Sequence, residues 1–166
     1  MQCYDLCVAW NWELDSNFIN MVQDACQTLG SSLLQVTPTN IDSILEQSRK
    51  YNLEHGITGI LCTSTPGNVF LQLLEGGRVA VNALYGNIVR DPRHCDVTLL
   101  DYAEITERRF AGWRMGRVNL NRINQGTILR FSESAVLDPF TMSGPTALAL
   151  LDELTSTAAI ASGEAS

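Results

Sequence analysis

Residues 57–64 (ITGILCTS) and 68–76 (NVFLQLLEG), separated by the turn signal TPG, read as a β-hairpin. Alternation along the second run puts Phe70, Gln72 and Leu74 on one face, with Val69, Leu71 and Leu73 on the other. Gln72 is the anomaly. A glutamine amide buried without partners costs a few kcal/mol, so its place in an apolar strand requires a reason.

Upstream of the hairpin, TNIDSILEQSRKYNLEHG has the pattern of a helix. Thr39 or Asn40 can cap it, Asp42 suits the first turn, and Gly56 can end it. Ile41, Leu45, Ser48 and Asn52 fall at i, i+4, i+7 and i+11 on one face, which Ile44 widens. That face is the inner one, so Asn52 is a second amide in an apolar setting. Downstream, RVAVNALYGNIVRDP reads as a helix with Val81, Leu84 and Ile88 inward and Pro92 stopping it. DVTLLDYAEIT is a strand, and RRFAGWRMGRV a further extended piece.

The ends are less regular. YDLCVAW (4–10) is of strand length; DSNFINMVQDACQTLG carries Phe18, Val22, Ala25 and Leu29 on one stripe, and SLLQVTP reads as a second strand. Such a β-α-β unit usually joins parallel strands. Beyond residue 119, LNRINQGTILRFSES and GPTALALLDELTST read as two short helices, the second amphipathic through Leu148, Leu151 and Leu154. The expected order is β-α-β-α-β-β-α-β-β-α-α, an α+β mixed sheet of ferredoxin-like type with helices on one or both faces.

The 166 residues suit one domain with an appendage, and 45% hydrophobic against 17% charged residues suffices to bury a core. A net charge of −7 and a pI near 4.7 argue against a nucleic-acid or anionic-membrane partner. Cys3, Cys7, Cys26, Cys62 and Cys95 lack CxxC spacing and read as free thiols in a reducing cytoplasm. The N-terminus has no signal-peptide pattern and no stretch approaches a membrane span, so a soluble cytoplasmic protein is expected.

Enzyme chemistry is not legible. His55 and His94 lack metal-ligand spacing, and no GxSxG, P-loop or GxGxxG occurs. His94 beside Cys95 does not make a nucleophile–base pair, because adjacency in sequence is not adjacency of side chains. The DPRH run (91–94) is either charge at a helix C-terminus or a phosphate clamp. Asn52 and Gln72 are either satisfied core amides or the two walls of a slot that reads a flat heteroaromatic ring by its polar edge.

From about residue 40 to 118 the chain resembles the BLUF family, blue-light sensing domains that use FAD. NxxxGITGIL, FLQLLEG, IxRDPRH and RRFxGWxMG fall in family order and spacing. The resemblance implies a BLUF mixed sheet with two helices on one face, and a helical cap in the tail. The implied organisation is an atypical β-α-β segment over 1–38, a core over 39–118, a cap over 119–157 and a disordered tail over 158–166. It implies that Asn52 hydrogen-bonds the flavin ring and that Gln72 changes its hydrogen bonding on illumination. Trp113 and Met115 would lie on the last strand and relay that change outward. Arg93 and His94 would meet the phosphates or adjoining parts of FAD, and Tyr51 would flank the ring.

The departure is at the front, where the family carries a tyrosine that donates an electron and a proton to the excited flavin. Counting back from Asn52 lands on Thr28, inside an expected helix. Matching YDLCVAW to the family's first strand instead places Val8 at the photoactive position, with residues 11–38 as an insertion. Tyr4 then lies on the same face about 13 Å away, at roughly 3.3 Å per residue. SLLQVT has no tyrosine either. YDLCVAWNWELD and SLLQVTP also weakly resemble the opening β-α-β of ATP-grasp ligases. The leading expectation is an FAD-binding sensory module, not an enzyme, with impaired photochemistry, which signals to a downstream protein through Trp113 and the cap, as a homo-oligomer. The alternatives are a flavin-free interaction module and a fragment of an ATP-dependent ligase.

Overall fold

The computed structural model describes residues 2–12, 38–64, 69–157 and 160–161. A six-stranded mixed sheet runs in the order β4-β1-β3-β2-β5-β6. Its strands are β1 (Cys3–Trp12), β2 (Thr58–Ser64), β3 (Val69–Gly77), β4 (His94–Ile105), β5 (Gly116–Asn119) and β6 (Ile160–Ala161). The helices are α1 (Pro38–His55), α2 (Arg78–Arg90), α3 (Gln125–Leu129) and α4 (Gly144–Ser156). The hairpin forms as the alternation requires: β2 and β3 pair antiparallel, with Leu61 opposite Gln72.

The front of the chain resolves one question of register. β1 lies between β3 and β4, antiparallel to both, and sets Val8 opposite Gln72 and Trp10 opposite Phe70. The sheet of the 39–118 core thus draws an interior strand from the 1–38 segment. The helix expected around Phe18, the strand SLLQVTP, Thr28 and Cys26 lie outside the described residues.

Period-two alternation divides the core into two dry layers. On one face Leu6, Val8, Trp10, Phe70 and Leu74 meet Ile41 and Leu45 of α1 and Val81 and Ile88 of α2. On the other, Cys7, Ala9, Cys62, Leu71 and Leu73 meet Leu150, Leu151 and Leu154 of α4. Burial pushes the Cys7 thiol up to about 12, and desolvation likewise raises Cys62, so both sulfurs are neutral packing groups. Cys3, Cys7, Cys62 and Cys95 are free thiols.

Several boundaries differ from the sequence reading. α1 begins at Pro38, ahead of the expected caps Thr39 and Asn40, because proline's fixed φ is tolerated in a first helical turn. It ends where expected, at Gly56 with φ +64°, a conformation open to glycine. RRFAGWRMGRV is extended only from Gly116, and LNRINQGTILRFSES yields one 3₁₀ turn and the single-turn α3. The tail expected to be frayed supplies Ile160 and Ala161 as an edge strand on β5.

Candidate functional site

α1 and α2 do not close completely over the sheet. Between them lies a cavity of about 210 Å³, bounded by Trp10, Phe70 and Gln72 of the sheet, Ser48 and Asn52 of α1, and Leu84 of α2. The helical spacing that put Ser48 and Asn52 with Ile41 and Leu45 is what brings the amide to this wall. Asn52 and Gln72 are both buried, at 1% and 6% exposure.

The two amides have different occupations. Asn52 Nδ2 donates to the Arg114 carbonyl at 2.5 Å, so this amide ties α1 to the segment entering β5. Gln72 Nε2 reaches only the Met115 sulfur, at 3.6 Å, a weak acceptor. Gln72 Oε1 is buried with no partner. An unsatisfied buried acceptor costs about 1–3 kcal/mol, so this oxygen is aimed at something the chain itself does not supply.

The segment before β5 is held from several sides. Arg49 Nε donates to the Met115 carbonyl at 3.2 Å, and the Trp113 carbonyl accepts from Gly59 N at 2.9 Å. Deeply buried Glu75 accepts from the backbone N–H groups of Arg109 and Phe110 at 2.8 and 3.0 Å. Trp113 and Met115 were expected on the last strand, but both precede it. A bend at 114–115 breaks the i, i+2 rule that would put them on one face. Met115 therefore enters the cavity layer, whereas Trp113 packs against the α4 layer.

The remaining expected residues divide. Tyr51 lines the cavity, its ring stacked on His55 with centroids 3.9 Å apart. His94 also lines it, through a ring that contacts Trp10 at 4.9 Å and a nitrogen, Nδ1, 2.9 Å from the Ile88 carbonyl. A carbonyl only accepts, so Nδ1 carries the proton. Burial lowers the imidazole below its ordinary value, leaving it neutral at pH 7. Arg93 is outside the cavity wall, in an exposed ion pair with Asp91 at 2.5 Å. Its guanidinium holds the Asp91 carboxyl down at about 2.

Trp10 was missed. It is 4% exposed, stacks on Phe70 at 5.7 Å with planes 6° apart, and has no partner for its Nε1–H. The signal was available: Trp10 is two residues past Val8 and shares its strand face. Among the described residues no group of three or more His, Cys, Asp or Glu could hold a metal ion. No helix among them is long and apolar enough to cross a membrane.

The lining fits a flat heteroaromatic ring: aromatic side chains, and two residues that carry an unpartnered amide oxygen and indole N–H. The cavity volume is below the roughly 300–1,000 Å³ of sites that enclose a drug-sized ligand, so it suits a ring system whose remainder lies outside.

Comparison with known proteins agrees with that chemistry. The model of the BLUF family, described as sensors of blue-light using FAD, matches residues 28–116. The photoactivated adenylate cyclase subunit beta of Euglena gracilis is 38% identical over 69 residues, which are 42% of this chain and 8% of that protein. The blue light- and temperature-regulated antirepressor BluF of Escherichia coli K12 is 38% identical over 72 residues, 42% of this chain and 17% of that one. The matched stretches thus span less than a fifth of these curated relatives. The structure of BlsA in its photo-activated state superposes with a TM-score of 0.69 at 26% identity, covering 92% of this chain and 94% of that one. The dark-state structure of BlrB gives 0.62 at 27% identity, covering 95% and 97%. With a family match over more than half its length and the fold, cleft and buried amides in place, the chain belongs to the BLUF family of flavin-binding blue-light sensors.

Proposed function

We propose that this chain holds the ring of FAD, non-covalently, in the cleft between α1 and α2 and signals the state of that ring through β5 to the cap and a partner protein. The observation that carries this reading is the unpartnered Gln72 Oε1 in a cleft it shares with Asn52. When bound, the flavin supplies blue-light absorption and a ring edge of alternating donors and acceptors. Asn52, already fixed through Arg114, orients that edge, and Gln72 completes it. Tyr51 flanks the mouth, and Arg93 and His94 stand on the side where the phosphates leave the cleft.

The route outward follows bonds that already exist. A change in which atom Gln72 presents to the ring alters its hold on Met115, and Met115 is joined through its backbone to Arg49 and, two residues back, to Trp113. Trp113 packs in the layer of α4, so the cap is the surface that answers. The chain acts in this reading as a cytoplasmic, self-associating sensory module rather than a catalyst.

The light response itself is reduced. Val8, opposite Gln72, occupies the position at which the family resemblance expects a tyrosine, and an aliphatic side chain offers neither an electron nor a hydroxyl. Illuminating purified, FAD-loaded protein tests this: we expect little or none of the reversible red-shift of flavin absorption, and a full shift overturns it. Protein that remains colourless and takes up no FAD would instead support a flavin-free interaction module.

A further inference from the structure

We propose that Trp10 is the electron donor to a photoexcited flavin in this cleft. The proposal rests on the reading of the cleft as the flavin site. Trp10 lies opposite Phe70 and Val8 opposite Gln72, so Trp10 and Gln72 are diagonal neighbours on one face. Such pairs have Cα atoms roughly 7–8 Å apart, within reach of long and aromatic side chains. Both line the same cavity, and each holds one orphan: a donor, Nε1–H, and an acceptor, Oε1. A ring held by Gln72 would therefore lie within reach of the Trp10 side chain.

The same indole is placed to give up an electron. Indole and phenol are the aromatic side chains most readily oxidised, and Val8 removes the phenol from this wall. A bound flavin would supply the excited-state oxidant, and the Trp10 π system would give up one electron to it, becoming an indole radical cation until that electron returns in the dark. No bond breaks and no outside oxidant is consumed. The Phe70 ring stacked at 5.7 Å favours the transient cation, and the neutral His94 ring at 4.9 Å does not repel it. The Nε1–H has no hydrogen-bond partner, the neighbouring His94 ring included, so no base is positioned to take its proton when the electron leaves. Return is therefore quick, and excitation is quenched rather than stored.

The flavin fluorescence lifetime of the FAD-loaded full chain tests this. Trp10→Phe should lengthen the lifetime several-fold, Trp10→Tyr should shorten it again, and Trp113→Phe, in the opposite layer, should leave it unchanged. An unchanged lifetime in Trp10→Phe, or the same lengthening in Trp113→Phe or Tyr51→Phe, overturns the proposal. Should Trp10→Phe fail to fold, the Trp12→Phe/Trp113→Phe protein retains Trp10 as its single tryptophan. Its emission should fall as FAD is titrated in, and transient absorption should show a tryptophan radical cation decaying as the flavin ground state recovers. Bound FAD without that radical contradicts the donor role; no FAD uptake by the unaltered chain contradicts the flavin reading beneath it.

Discussion

The two faces of the sheet are built from the same alternating strands and finish differently. Against α4 the layer closes on itself: Leu150, Leu151 and Leu154 are fully buried and complete a core with Cys7, Cys62, Leu71 and Leu73. Against α1 and α2 the layer contains a cleft, two buried amides and two polar atoms without partners. The α4 face also carries one unpartnered buried oxygen, Asp5 Oδ1, so what sets the open face apart is that its donor and acceptor line a single cavity. Such a paired donor and acceptor keeps a desolvation cost that apolar residues would have removed, and it is this cost that the proposed ligand would offset.

The largest effect that separates the faces is expected at Leu151. Leu151→Ala leaves a cavity in the closed layer and should cost about 2–5 kcal/mol in urea unfolding, with the folded protein still taking up FAD. Loss of flavin binding at unchanged stability would break the division between faces. Val8→Tyr tests the open face by overfilling it. Adding a ring to a packed strand costs about 1–3 kcal/mol, and the variant should gain a reversible red-shift in its light-minus-dark spectrum. A stable Val8→Tyr protein with flavin bound and no shift would mean that the missing tyrosine is not what limits the response.

Gln72→Leu should have a smaller and opposite effect on stability. Removing an unpartnered buried oxygen should leave the FAD-free protein as stable or more stable by about 1 kcal/mol, while flavin affinity, measured by titration, falls. Destabilisation by several kcal/mol would show that Gln72 is a structural amide. The least effect belongs to Asp91. Its folded carboxyl titrates near 2, below the ordinary 3.8, so the Arg93 pair contributes above pH 4 and is lost as pH falls from about 4 to 2. Exposed pairs of this kind contribute about 0.2–1 kcal/mol. Asp91→Asn should therefore abolish only a shallow part of the acid dependence of stability, leaving flavin uptake in place.

Much of this was legible in the residues. The hairpin, the inner faces of α1 and α2, and the burial of Asn52 and Gln72 all follow from periods of 3.6 and 2, which report local geometry. Trp113 and Met115 illustrate what periodicity does not carry. Their opposite placement depends on a bend at 114–115, held by Asn52 and Arg49 from the distant helix α1. The register of β1 was equally non-local: YDLCVAW could precede either a parallel or an antiparallel partner, and only the pairing with β3 sets Val8 against Gln72. Trp10 was overlooked because an aromatic on a strand reads as core, and its orphan N–H is visible only once the cleft exists.

The central claim is that the open face is a flavin site, and equilibrium uptake of FAD tests it most directly. FAD added to the purified chain in the dark should bind at one ring per chain, raise the thermal midpoint with the logarithm of the ligand excess, and lose affinity in Gln72→Leu and Asn52→Ala but not in Leu151→Ala. Folded protein that takes up no FAD and shows no change in thermal midpoint would contradict the account.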